Sequence, residues 1–292
     1  MITTKIYRSW GYAWAGMMAL LLFCFFRFYL RLSLLVALYW LMGLFLTGLF
    51  PFQLFTPALF RSIRHLPVLS IGLWGQALGL VFLLVCFQRL DTRDSVVLHS
   101  FYLFPTLSSI LGSLLLLQAN HFRDFLACSG AVVGGFLVLN MTTSSLFPLF
   151  GFRLSALAML LILHIASALG TEKNEMQGKD ALVGLFHHHP QWAFAWLVSL
   201  LSLSGLFPSG HSWQWQVLAT FYHRHSQWIC FPLLGSMILS AVVHFHWIHA
   251  AIHYPHGRQT FPVFQAPKAQ TAWAILLAVA LCLSWFSPHH GC

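Results

Sequence analysis

Nine apolar runs organise this chain. They lie at about 10–28, 31–50, 66–88, 97–118, 125–146, 150–170, 191–220, 228–253 and 270–287, with short polar stretches between them. A run of about 18 or more apolar residues, wound as a helix, crosses a hydrocarbon core of about 30 Å. Inside lipid the backbone must satisfy its own polar groups, so such runs are helical. The pattern predicts an all-α, polytopic transmembrane bundle of about nine spans, forming one domain over residues 1–292. The longest polar stretch, about 171–190, leaves no room for a soluble domain. The first apolar run is followed by Arg27 and Arg31 and not by a small-residue cleavage site, so no cleavable signal is expected.

Two of the runs cannot stay helical throughout. Residues 45–57 read Phe-Leu-Thr-Gly-Leu-Phe-Pro-Phe-Gln-Leu-Phe-Thr-Pro. Pro51 and Pro57 each lack a backbone donor, and each restricts the residue before it. Far downstream, Gly205, Pro208 and Gly210 interrupt the run 191–220. Broken backbone at membrane depth is tolerated only against other protein or a watered cavity. Paired breaks in two halves of a chain are a feature of transporter-type bundles, where they mark substrate and ion routes. Both interrupted spans are therefore expected to be discontinuous helices.

Charge narrows the picture. Of 292 residues, 59% are hydrophobic and 7% charged, with a net charge of +9. So little charge excludes nucleic acid as a partner. The arginines and lysines flank the runs, where they fix topology and touch anionic lipid. The six carboxylates are Asp91, Asp94, Asp124, Glu172, Glu175 and Asp180, none of them in the middle of an apolar run. Only His99, His164, His211 and His244 put a titratable group there, with Arg123 at a span entrance. Ionisable groups inside a membrane mark proton and ion routes, and histidine changes charge near neutral pH. The six cysteines show no C-x-x-C spacing and act as small hydrophobes.

Two other chemistries match the sequence only in part. Pro208-Ser209-Gly210-His211-Ser212 matches one motif of membrane lipid phosphatases, but that chemistry needs an Asp behind the His and Lys and Arg on the phosphate. No acidic residue follows Asp180. His249 and His253 have H-x-x-x-H spacing with His246 on the same face, and His187, His188 and His189 form a triplet. Such spacing can ligate metal, yet the further histidine boxes of membrane desaturases are absent. These histidines are expected to sit at wet span ends. No metal or haem is expected.

Four segments in register resemble one family, the antiporter-like membrane subunits of respiratory complex I (of the kind called chain 2 in mitochondria and subunit N in bacteria). They are the break at 45–57; residues 118–129, Gln-Ala-Asn-His-Phe-Arg-Asp-Phe-Leu-Ala-Cys-Ser; residues 180–190, Asp-Ala-Leu-Val-Gly-Leu-Phe-His-His-His-Pro; and residues 199–210, Ser-Leu-Leu-Ser-Leu-Ser-Gly-Leu-Phe-Pro-Ser-Gly. The second needs one inserted residue. The resemblance covers about 40–255, and the chain joins the family's order of spans part-way along it.

The resemblance implies a subunit of the membrane arm, supporting NADH-to-ubiquinone electron transfer coupled to proton translocation. It implies no cofactor in this chain, with NADH, FMN, iron-sulfur clusters and ubiquinone served by other subunits. Implied partners are other membrane-arm subunits, including larger antiporter-like ones. The implied location is the mitochondrial inner membrane, or else a bacterial plasma membrane. Three lysines expected from the family fall here on Leu46, Gln76 and Trp215. A neutral side chain cannot hold and release a relay proton, so a structural role is expected ahead of pumping. A polar line through His99, Arg123, His164 and His211 is the proton route expected if the chain does pump. An independent cation/proton exchanger is the alternative.

Overall fold

The computed structural model describes residues 34–62, 69–89, 95–143, 147–169, 182–205, 212–224, 227–253 and 268–285. The first apolar run, 10–28, lies outside them. The next five runs become α1 (Leu34–Thr47), α3 (Leu69–Arg89), α4 (Ser95–Leu117), α5 (Phe122–Thr143) and α6 (Phe147–Leu169). Between α1 and α3, a single 3-10 turn (Phe52–Leu54) leads into the short helix α2 (Thr56–Ser62). After α6 come α7 (Leu185–His188), α8 (Pro190–Ser204), α9 (Ser212–Arg224), α10 (Gln227–Ile252) and α11 (Lys268–Trp285). No strand occurs among the described residues. The architecture is an all-α bundle of apolar helices in which two spans are discontinuous.

Length and composition decide which helices can cross a bilayer alone. Among the described residues, Val36–Leu54, Phe122–Thr142 and Trp228–Ile252 are long and apolar enough. α3, α4 and α6 have 21, 23 and 23 residues, so they match the length of a span.

The helix α5 is the hub. It packs against α2, α3, α4, α6, α9 and α10. Of Phe122–Thr142, 94% is buried, against 39% of Trp228–Ile252. Small residues permit this. A Cβ on Gly135 would lie 2.6 Å from the Pro105 carbonyl oxygen of α4, so the two backbones touch where any side chain would part them. Pro105 in α4 removes a helix donor. Hydroxyls on the neighbouring turns bond local carbonyls, Thr106 Oγ1 to Tyr102 O at 2.7 Å and Ser109 Oγ to Pro105 O at 3.1 Å.

The outer surface is apolar. Leu38, Met42 and Phe45 on α1, Leu78 and Val81 on α3, and Phe231, Ile238, Val242 and Phe245 on α10 are all exposed. Contiguous apolar surface of this kind marks a membrane- or protein-facing exterior. The core is correspondingly aromatic, with Trp40, Trp196, Trp247, Phe122, Phe125 and Phe136 fully enclosed.

Candidate functional site

The first break starts where α1 ends at Thr47. Gly48 follows at φ 65°, a left-handed conformation that side chains disfavour. Leu49 N–H then donates to Leu44 O at 3.1 Å, one residue further back than an α-helix allows. The Phe50–Pro51 peptide is cis. The freed Phe50 N–H is caught from outside, by the Ser108 hydroxyl of α4 at 2.7 Å. Pro57 sits in the first turn of α2, where a missing N–H costs nothing. Between these two prolines lies Gln53, 1% exposed, with neither amide atom hydrogen-bonded.

The second break is built differently. α8 ends at Gly205, at φ 70°. Gln214, 2% exposed, packs so closely under Gly205 that a Cβ there would lie 2.7 Å from its amide carbon. The Trp215 indole N–H donates to Gly205 O at 3.0 Å and satisfies a carbonyl at the helix end. Pro208, Gly210 and His211 lie outside the described residues.

Between the breaks, α5 carries two adjacent polar contacts to different helices. Gly130 makes room for Gln76 of α3, since a Cβ there would lie 2.8 Å from Gln76 Nε2. Thr47, Gln76, Gly130 and Ser155 line a cavity of about 30 Å³, enough to hold a water. Ser129 Oγ lies 3.4 Å from His244 Nε2 of α10. His244 Nδ1 lies 2.6 Å from the Ser240 carbonyl oxygen. A carbonyl only accepts, so that network assigns the ring hydrogen to Nδ1 and leaves Nε2 to accept from Ser129. Phe125 meets the imidazole edge-on, ring centres 5.3 Å apart, and His244 is 1% exposed. The middle of α5 thus joins α3 to α10 through Gln76, Gly130, Ser129 and His244.

Of the sequence-predicted route residues, Arg123 and His164 have described side chains. His99 is in α4, in the described backbone but outside the described side chains. Arg123 is half-buried in the first turn of α5, next to buried Asp124. His164 is half-buried in α6 and stacks on Trp192 of α8 at 5.8 Å. One turn further along α8, Trp196 lies 6.1 Å from Phe122, the neighbour of Arg123. His164 and Phe122 therefore both pack on the first turns of α8. Outside the spans, His189 stands at the N-cap position of α8, where its side chain makes no capping bond. Burial and the neighbouring His188 lower its pKa from the ordinary 6.5. Of the positions where the resemblance expects lysines, Leu46 packs at the α1–α3 contact, 2.8 Å from a Cβ on Gly79. Gln76 lines the central cavity, and Trp215 closes the second break.

Sequence reasoning missed Gln53, Gln214 and the Ser129–His244 pair. The spacing of Ser240 and His244, four residues apart in an apolar run, was a usable sign of a buried polar patch. Among the described residues, no group of three His, Cys, Asp or Glu side chains is arranged to hold a metal ion.

No protein-family model matches the chain. It is 26% identical over 200 residues to NADH-ubiquinone oxidoreductase chain 2 of Varanus baritji, covering 67% of this chain and 53% of that one. To NADH-quinone oxidoreductase subunit N 1 of Opitutus terrae it is 24% identical over 260 residues, 84% and 51% of the two chains. It spans about half the length of these curated relatives. Chains of respiratory complex I from Thermus thermophilus superpose with TM-scores of 0.70 and 0.71, at 21% and 19% identity. They match 86% and 88% of this chain, and it covers 56% and 55% of them. A chain of the membrane-bound sulfane sulfur reductase, an archaeal respiratory membrane complex, superposes at 0.71 with 16% identity, over 85% of this chain and 52% of that one. The structural likenesses establish the fold. In sequence the chain is similar to chain 2 and subunit N of NADH:quinone oxidoreductases, over about half of their length.

Proposed function

We propose that the chain is a membrane-arm subunit of a respiratory NADH:quinone oxidoreductase, and that it supports the proton-translocating arm without itself storing the transported charge. One observation carries the second half. The central cavity presents Gln76, an amide, where the resemblance expects a lysine. The groups that continue from it across α5 are a serine and a histidine packed in aromatic surroundings. An amide cannot take up and release a proton at neutral pH, so a relay through that position has no carrier.

On this reading the chain binds no redox cofactor, and NADH, FMN, iron-sulfur clusters and ubiquinone are the business of other subunits. Its neighbours are other membrane-arm subunits, larger antiporter-like ones included. Its place is the mitochondrial inner membrane. The whole forms one membrane domain, with Pro51, Pro57 and Gly205 at its two breaks and the sequence adding Pro208 and Gly210 to the second. His99, Arg123, His164 and His211 remain route candidates only under the pumping alternative, and the geometry adds His244 to them.

The test is His244→Gln in the assembled complex. Glutamine keeps a neutral hydrogen-bonding group and cannot carry a proton. Protons moved per electron, measured in sealed vesicles, are expected to stay at the parent value. A fall in that ratio at unchanged quinone reduction would overturn the scaffold reading.

A further inference from the structure

The last turn of α10 carries a feature that membership of a membrane arm does not use. The backbone of α10 runs in helical register to His253, whose N–H donates to His249 O at 2.9 Å. His249 and His253 are therefore one helical turn apart on one face, and both side chains are exposed. Their ring centres lie 5.6 Å apart, with the planes tilted by 31°. Two imidazoles bound tetrahedrally to one ion, at metal–nitrogen distances of about 2.0–2.1 Å, place their ring centres about 5 Å apart. The separation of the pair is close to that spacing. His246, also exposed, lies one turn earlier on the same helix.

We propose that His249 and His253 form a binding site for a divalent transition metal of the zinc class, with water filling the remaining positions. Imidazole nitrogen suits zinc, copper and nickel, whereas calcium and magnesium take oxygen ligands. No third ligating side chain joins the pair among the described residues. The ion therefore has open positions and exchanges with solvent, unlike a closed structural zinc. The site lies at the end of the candidate span Trp228–Ile252. An ion bound there pins the final turn of the helix that carries His244.

The experiment uses the full chain in mild detergent, carrying a tag without histidines, and Zn²⁺ as the probe. Bound zinc is measured by elemental mass spectrometry after gel filtration, and Cu²⁺ is used for electron paramagnetic resonance. One zinc per chain, and a copper spectrum split by two imidazole nitrogens, are expected. His249→Ala and His253→Ala should each weaken binding by at least the roughly tenfold that loss of an outer-shell partner causes. Replacing His187, His188 and His189 together by alanine should leave the site intact, and Ca²⁺ should not compete. The proposal is overturned if the parent chain holds no zinc, if the double variant binds zinc like the parent, or if the triplet variant abolishes binding.

Discussion

Gly205→Val is expected to prevent stable accumulation of the chain, at a cost of about 2–5 kcal/mol. Two effects add. A side chain in the left-handed conformation costs about 1–2 kcal/mol, and a β-branched one fits it worst. The new Cβ would also meet Gln214, whose amide carbon would be 2.7 Å away, and forced overpacking costs about 1–3 kcal/mol. Gln214 is enclosed and cannot swing into solvent. Moving the helix end instead breaks the Trp215–Gly205 hydrogen bond. The control is Gly75→Ala in α3, where an added Cβ meets nothing within 4 Å. That change should hold or raise stability, because alanine favours a helix over glycine by about 1 kcal/mol. Thermal unfolding in detergent separates the two. Equal melting temperatures for both variants would mean that the second break is not the tight corner described.

Gln76→Lys, which restores the residue type the family resemblance expects, should damage the protein. The cavity is about 30 Å³, and beside Thr47, Gln76 and Ser155 its lining is apolar, with Leu80, Val133 and Met159 among it. No carboxylate stands in the middle of any apolar run. An unpaired lysine at membrane depth costs about 2.5–3.5 kcal/mol on insertion scales, so the variant should assemble poorly. Gln76→Leu, which removes polarity and adds no charge, should be tolerated. The outcome that would sink the neutral-axis account is specific: Gln76→Lys assembling at parent levels and moving more protons per electron. In that case the surroundings would still be tuned for a titrating group.

The parts of this architecture that depend on local backbone chemistry were readable in the sequence. Proline and glycine act where they stand, so Pro51 and Gly205 announced interruptions that the structure resolves as a 3-10 turn and a left-handed helix end. Apolar runs likewise gave the spans, because a helix in lipid needs only length and hydrophobicity. The polar centre was not readable. Ser129 and His244 are 115 residues apart and meet only because α5 is the hub. Gln76 looked like a lost lysine, and its cavity exists only because Gly130 faces it across a helix contact. His164 meets Trp192, and Phe122 meets Trp196, only through the packing of α5, α6 and α8, which no local pattern encodes.

The measurement that bears most directly on the account is native-gel separation of solubilised membranes. Each band is stained for NADH oxidation and its chains are identified by mass spectrometry. The account predicts that this polypeptide appears in the NADH-oxidising band, together with larger antiporter-like subunits and quinone-proximal subunits. Recovery of the chain alone, or only in bands without NADH-oxidising activity, would contradict it.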